Sequence, residues 1–218
     1  MNARRLPVIA MLGLLAAGGL VGCRADPAVA AYVDDQRITE AEVDAVMDEL
    51  REVADPAQLP ALRDQVVEMR VLTEVAGRYA EQEGLAVPAP DPARIGGEIG
   101  LVPEHPYVQL AAGYDAAMAA LRESLTPVPP TEADQREVYD QLTAQGLTAP
   151  FEQVQPDLNE QLLGQPVALR NLLTEAVARA DIRLNPRYDL VHQVPVPVGE
   201  AQAGLGVPLS ESAVVESG

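Results

Sequence analysis

Residues 30–42 read Ala30-Ala31-Tyr32-Val33-Asp34-Asp35-Gln36-Arg37-Ile38-Thr39-Glu40-Ala41-Glu42. The first four are a short apolar run that predicts a strand. Asp34-Asp35-Gln36 is a turn signal, because Asp and Asn side chains bond their own backbone and tolerate turn geometry. Arg37-Ile38 then leads into Thr39-Glu40-Ala41-Glu42, the spacing of a capping box with Thr39 as N-cap and Glu42 at the third helical position. Strand, turn and capped helix follow one another within thirteen residues.

A lone strand does not survive unpaired, so a partner is needed elsewhere in the chain. The only other short alternating run of this kind is Ile182-Arg183-Leu184, near the far end of the periodic part. Pairing of Tyr32-Val33 with Ile182–Leu184 would bring the two ends of the domain together.

Between these runs the period is helical. Val43, Val46, Met47 and Leu50 share one face of a first helix, expected to end near Ala54 before Asp55-Pro56. Leu59-Pro60 opens a second, with Pro60 in its first turn and Gly84 as its C-cap. From Pro60 to Glu83 it would run about 36 Å, which suggests an elongated scaffold. Val87-Pro88-Ala89-Pro90-Asp91-Pro92 is a stiff linker. A weak helix carrying Ile95 and Ile99 could follow, made marginal by Gly96, Gly97 and Gly100. Pro106 to Leu125 is a stronger helix. Thr131-Glu132-Ala133-Asp134 caps another, ending near Gly146. Phe151 to about Ala180 reads as one long helix or two stacked ones jointed at Gly164-Gln165-Pro166. Past His192 the sequence shows Pro, Gly, Val and acid without period and predicts a disordered acidic tail over residues 191–218. The fold class expected is mainly all-α, with the two short terminal strands paired over a domain of residues 30–190.

Composition agrees with aliphatic helix packing. The 218 residues are 48% hydrophobic but only 3% aromatic, with six Tyr, one Phe and no Trp. The net charge is −18, from 15 basic residues, all Arg, and 33 acidic ones. Such a chain repels phosphate backbones, which disfavours nucleic acid, and it gives no electrostatic grip on anionic lipid. Without Lys there is neither Schiff-base chemistry nor a P-loop. With a single Cys there is no intrachain disulfide and no thiolate zinc cluster.

The N-terminus points to export. Met1-Asn2-Ala3-Arg4-Arg5 is a short positive stretch, and Leu6 to Gly22 is apolar and rich in Gly and Ala. This is the pattern of a secretory signal, residues 1–22, short for a membrane span and weakened further by its glycines and Pro7. It ends in Leu20-Val21-Gly22-Cys23, which resembles a bacterial lipobox. That resemblance implies Sec export, acylation of Cys23, a tether over residues 23–29, and a protein held at the extracytoplasmic face of the cell membrane.

The layout of the mature chain resembles the N-terminal domain of SurA/PpiD-type extracytoplasmic chaperones. The residues that carry the likeness are Val33-Asp34-Asp35-Gln36-Arg37-Ile38-Thr39, with Asp35 where that family usually has Gly; Val66 to Gly84 followed by Leu85-Ala86-Val87-Pro88; Pro130-Thr131-Glu132-Ala133-Asp134 through Val138-Tyr139; Phe151-Glu152-Gln153-Val154; and Ile182 to Tyr188, whose Asn185-Pro186-Arg187-Tyr188 ending is similar to actinobacterial members. The likeness lies in the order of these pieces from Ala30 to Tyr188. Members often carry a parvulin prolyl-isomerase domain between the last two helical pieces. Here Thr131 to Pro150 holds 20 residues, too few for an independent domain. The likeness therefore implies the chaperone scaffold without the isomerase.

The residues carry no sign of catalysis. His105 precedes Pro106 and suits a helix start, and His192 falls in the expected tail. There is no metalloprotease, nucleophile-elbow, dinucleotide or Walker motif. Acidic clusters such as Asp34-Asp35 and Glu40-Glu42-Asp44 suit a turn and a helix start better than calcium. No cofactor, nucleotide or metal is expected. A binding surface would be apolar, with Met47, Met69, Tyr79, Tyr107, Tyr114, Met118 and Phe151 as adaptable or amphipathic candidates for client contact. The expected function is ATP-independent binding of unfolded or newly exported polypeptides. The rival readings are a divergent prolyl isomerase and a structural lipoprotein serving one dedicated envelope partner.

Overall fold

The computed structural model describes residues 26–199 and 201–209. The signal stretch and residues 23–25 of the tether, Cys23 among them, lie outside them. Seven α-helices and two small antiparallel sheets make up the described part, in the order β1 (Val29–Val33), β2 (Gln36–Thr39), α1 (Glu40–Leu50), α2 (Leu59–Glu83), α3 (Pro92–Ile99), α4 (Pro106–Glu123), α5 (Glu132–Ala144), α6 (Phe151–Val154), α7 (Glu160–Arg179), β3 (Ile182–Leu184), β4 (Val191–Val198) and β5 (Ala201–Pro208). The mainly helical class expected from the sequence is what is observed.

The two ends meet as the pattern requires. β1 pairs antiparallel with β3, with Ala31 opposite Leu184, Tyr32 opposite Arg183 and Val33 opposite Ile182. A third strand joins them: Gln36–Thr39 pairs with the other edge of β1, so Arg37-Ile38 is strand and not merely a lead-in to the helix. The turn between them is held by Asp34 at φ 53°, the one non-glycine positive φ among the described residues. Asp35, the position where the resembled family has glycine, needs no such freedom. Asp34 Oδ1 accepts from Asp181 N at 2.8 Å, and Asp34 N donates to Asp181 O at 2.9 Å. Arg78 of α2 bonds Asp34 at 2.6 Å and Asp35 at 2.8 Å. Hydrogen bonding to Arg78 holds the Asp35 carboxyl below its ordinary value.

Asn185 to Tyr188 completes the closure. Asn185 Nδ2 donates to Val29 O at 2.9 Å, and Arg187 donates to Pro27 O at 3.1 Å. The Tyr188 hydroxyl reaches the buried carboxylate of Glu40 at 3.0 Å, and Arg63 of α2 binds the same carboxylate at 2.9 Å. Burial opposes the Arg63 charge, yet bonds to Tyr188 and Asp44 hold its pKa above the usual range. Thr39 caps α1 with the expected box, its hydroxyl accepting from Glu42 N at 3.2 Å while Glu42 accepts from Thr39 N at 2.7 Å. Thr131 and Asp134 do the same for α5. Gly84 ends α2 in the left-handed region at φ 67°.

Several boundaries differ from expectation. α1 ends at Leu50, and residues 51–54 continue only as turns. The joint in the Phe151–Ala180 stretch falls at Pro156 to Asn159, not at Gly164-Gln165-Pro166. Asn159 starts α7 by accepting from Gln161 N and Leu162 N, whereas Pro166 sits inside the helix. Gly164 has a different use. Val128 N donates to Gly164 O at 3.2 Å, and a Cβ on Gly164 would lie 3.1 Å from Pro127 Cβ, so a larger residue would push the Pro-rich segment slightly away from α7. Gly96 likewise admits the chain returning after α3, since a Cβ there would meet Leu101 O at 2.6 Å.

The largest correction concerns residues 191–208, expected as part of a disordered tail. They form an antiparallel hairpin, β4 against β5, in register from Val191–Pro208 to Val198–Ala201. His192, Val194 and Val196 of β4 and Ala203, Leu205 and Val207 of β5 are buried. α7 packs against both strands and α5 runs along β5. The main core is one cluster through both sheets and α1, α2, α4, α5 and α7. Ile95 of α3 with Val108 and Ala112 of α4 forms a small separate one.

Candidate functional site

The sequence-derived client residues do not converge on a surface. Met47 of α1, Met69 of α2, Met118 of α4 and Phe151 of α6 are all buried. Phe151 meets the Tyr139 ring edge-on at 5.4 Å and lies under the Arg136 guanidinium at 4.2 Å. Tyr79, half-buried, lies under Arg179 at 5.1 Å. Tyr114 packs edge-on to His192 at 6.3 Å, and burial pushes its hydroxyl pKa up to about 12, with the Glu68 charge adding to the effect. Tyr107 is also raised by burial. These side chains fill the interior, because a core this poor in aromatics takes its large residues from wherever the helices supply them. In this conformation Met47, Met69, Met118 and Phe151 are packing residues, while Tyr79, Tyr107 and Tyr114 are half-buried against the core.

The two histidines also find definite places. His105 is the N-cap of α4, its Nδ1 accepting from Tyr107 N at 3.1 Å. His192, expected in a tail, is buried in β4 with Nδ1 2.7 Å from Glu68 Oε1.

The fold leaves open an apolar groove where α5, the α6–α7 connection and the turn end of the hairpin meet. Leu142 and Leu158 form its buried floor. Leu147, Val154, Leu162, Val198 and Ala201 form half-buried walls, and Gln145 and Asp157 supply the polar groups at its edge. Each residue is placed for a local reason. Gly146 at φ 104° turns the chain after α5 and lays Leu147 back over Leu142, with Leu147 N donating to Leu142 O at 3.0 Å. The 3-10 turn at Gln155–Asp157 aims Leu158 inward, and Gln135 of α5 fixes it by donating to Leu158 O at 2.8 Å.

Next to the groove lies a polar device on α5. Glu137 Oε1 accepts from Gly206 N at 2.7 Å. Gln141 donates to Gly204 O at 2.8 Å and accepts from Gly204 N at 2.9 Å. Gln145 accepts from Gln202 N at 3.1 Å and donates to Gln202 O. The same face continues to Asp134, buried and bonded to Arg170 of α7. Burial disfavours the Asp134 charge, but Thr131 and Arg170 outweigh it and hold the carboxyl below its ordinary value.

The groove is a place for apolar side chains, and it offers no titratable pair for chemistry. Its aliphatic members Leu142, Val154, Leu158 and Leu162 are visible in the sequence as helical stripes; Val198 and Ala201 are not, because they belong to the unexpected hairpin. The polar stripe Glu137–Gln141–Gln145 could have been noticed only as three long polar residues at four-residue spacing, which on most helices is a solvated face. Among the described residues no three His, Cys, Asp or Glu side chains cluster to hold a metal, and no helix is long and apolar enough to cross a membrane. Comparison with protein-family models, with curated proteins and with solved structures finds nothing that matches this chain.

Proposed function

We propose that this chain is a lipid-anchored extracytoplasmic chaperone that binds apolar segments of unfolded or newly exported polypeptides without nucleotide or chemistry. One observation carries the reading: a half-buried groove of aliphatic side chains, polar only at Gln145 and Asp157, stands open against the main core. Aliphatic walls of this kind take side chains by shape and desolvation, with little demand on their identity. The excess of acidic residues keeps such a protein soluble beside aggregating clients. The resemblance of residues 30–188 to the SurA-type N-terminal domain supports the same reading. The apolar N-terminal stretch ending at Cys23 supports anchoring by an acylated cysteine.

The test is light scattering of a chemically unfolded client diluted into residues 24–218, prepared without lipid. The hairpin is retained because it belongs to the core. Suppression of aggregation at near-equal molar ratio is expected, and a Leu147→Ser, Val154→Gln variant, whose changes fall on half-buried wall positions, should suppress it several-fold less. No suppression with several unrelated clients overturns the reading in favour of a lipoprotein with one dedicated partner. In cells, Cys23→Ser should release the protein from the membrane fraction.

A further inference from the structure

The hydrogen bonds from α5 to β5 go entirely to main chain. Glu137, Gln141 and Gln145 stand four residues apart on the helix, and Gly206, Gly204 and Gln202 stand two apart on the strand, which runs the opposite way. Four helical residues advance about 6.0 Å and two strand residues about 6.6 Å. The two spacings are close enough for three successive helical turns to meet three successive outward-facing peptide groups. A carboxamide carries the same donor and acceptor as a peptide group. Gln141 and Gln145 therefore meet β5 as a neighbouring strand would.

The requirements this ladder places on its occupant are those of an extended chain with apolar residues at alternate positions. Ala203, Leu205 and Val207 enter the core. At the intervening Gly204 and Gly206 a Cβ would crowd chiefly side chains that can shift, Gln193 Oε1 at 2.9 Å from the first and Val191 and Glu137 at 3.2 and 3.3 Å from the second. No side chain of β5 is read by a hydrogen bond from α5. The outer edge of β4 offers nothing similar. Because Gln202, Gly204 and Gly206 point to α5, Pro195 and Pro197 lie in pairs that turn away from β5, and both lack the N–H an added strand would need.

We propose that the α5 ladder is a strand-binding site for extended segments of unfolded polypeptide, with the chain's own β5 as its resident occupant. A client segment enters by displacing β5. The exchange replaces main-chain hydrogen bonds by equivalent ones and alternate apolar side chains by others of the same class, so neither buried peptide groups nor core volume are lost at completion. β5 is held to a sheet of only two strands, a pairing that is marginal without support. This inference rests on the client-binding reading above and names the form of client that reading admits.

The experiment uses the full mature chain, residues 24–218, and a fluorescent synthetic peptide of residues 201–209 as probe. Saturable binding is expected, with amide exchange at Ala203, Leu205 and Val207 of the resident strand accelerated at least tenfold at saturating peptide. The same peptide with Pro at the positions of Gln202 and Gly204 should not bind. Gln141→Leu with Gln145→Leu should lower peptide affinity at least tenfold. The exchange measurement on the unmodified chain stands even where that variant folds poorly. Failure of the peptide to bind, or binding that leaves resident exchange unchanged, overturns the proposal. Aggregation suppressed equally by a folded double variant overturns it too, and leaves client binding at the apolar groove intact. Peptide exchange retained without any suppression of aggregation removes the client reading and leaves a strand-exchange site.

Discussion

The two sheets solve the problem of unpaired edges by different means. β1 is central in its sheet, with β2 and β3 on its two sides, and the assembly is pinned by charge: Arg78 on Asp34 and Asp35, Arg63 and Tyr188 on Glu40. β5 has a strand on one side only. Its other side is filled by Glu137, Gln141 and Gln145, so that helix α5 stands where a third strand would be. The first sheet closes the domain through long-range ion pairs that are partly buried. The second is fixed to it through the Glu137 carboxylate, two carboxamides and an apolar face. The difference predicts different sensitivities.

The largest effect should come from the apolar face of the hairpin. Leu205→Ala, at a fully buried site, should cost about 2–5 kcal/mol in denaturant unfolding if the hairpin melts together with the helices. A loss confined to local exchange at β4 and β5 would instead show the two sheets to be separate cooperative units. Glu40→Ala attacks the other sheet and should cost about 2–3 kcal/mol. That is less than a fully buried pair, because Arg63 keeps Asp44 as partner.

A pH effect marks the hairpin side. The Tyr114 pKa is pushed up to about 12 by burial, so the folded state favours the protonated hydroxyl. Its contribution is fully present below about pH 10 and is lost as pH rises toward 12, a change on the order of 2 kcal/mol. Tyr114→Phe should flatten that part of an alkaline unfolding profile. Smaller again, Gln141→Leu should cost about 1–2 kcal/mol by leaving both polar groups of Gly204 unpaired. The smallest effect should be at the first turn: Asp35→Gly should leave the denaturant midpoint nearly unchanged, since Asp35 has no positive φ and its bond to Arg78 is exposed.

The same contrast explains what was legible beforehand. The first sheet and its helices follow ordinary sequence grammar: an apolar run, an Asp turn, a Thr/Glu capping box, aliphatic residues at helical spacing, Gly84 after the last turn. The hairpin breaks that grammar at the positions that make it work. Pro195 and Pro197 read as strand breakers, yet both face the outer edge, where a missing N–H protects the sheet from further pairing. Gly204 and Gly206 read as loop, yet each makes room for a neighbouring side chain. The alternation Val194–Val196–Val198 and Ala203–Leu205–Val207 was present all along, masked by the residues between. Four of the site candidates are buried for a related reason. Adaptable residue types such as Met47 and Met118 mark what can line a groove, but in a core with one Phe and no Trp they are needed for packing. The residues that do line the groove are ordinary aliphatics brought together by tertiary contact.

Residues 191–208 are a docked part of the fold, held at the β5 edge by α5. Native-state amide hydrogen exchange of the full mature chain tests it directly. Gln202, Gly204 and Gly206, whose N–H groups point away from β4, should be protected, and Gln141→Leu with Gln145→Leu should abolish protection at Gln202 and Gly204 first. Exchange of these three amides as fast as in a free peptide of residues 201–209 would contradict it.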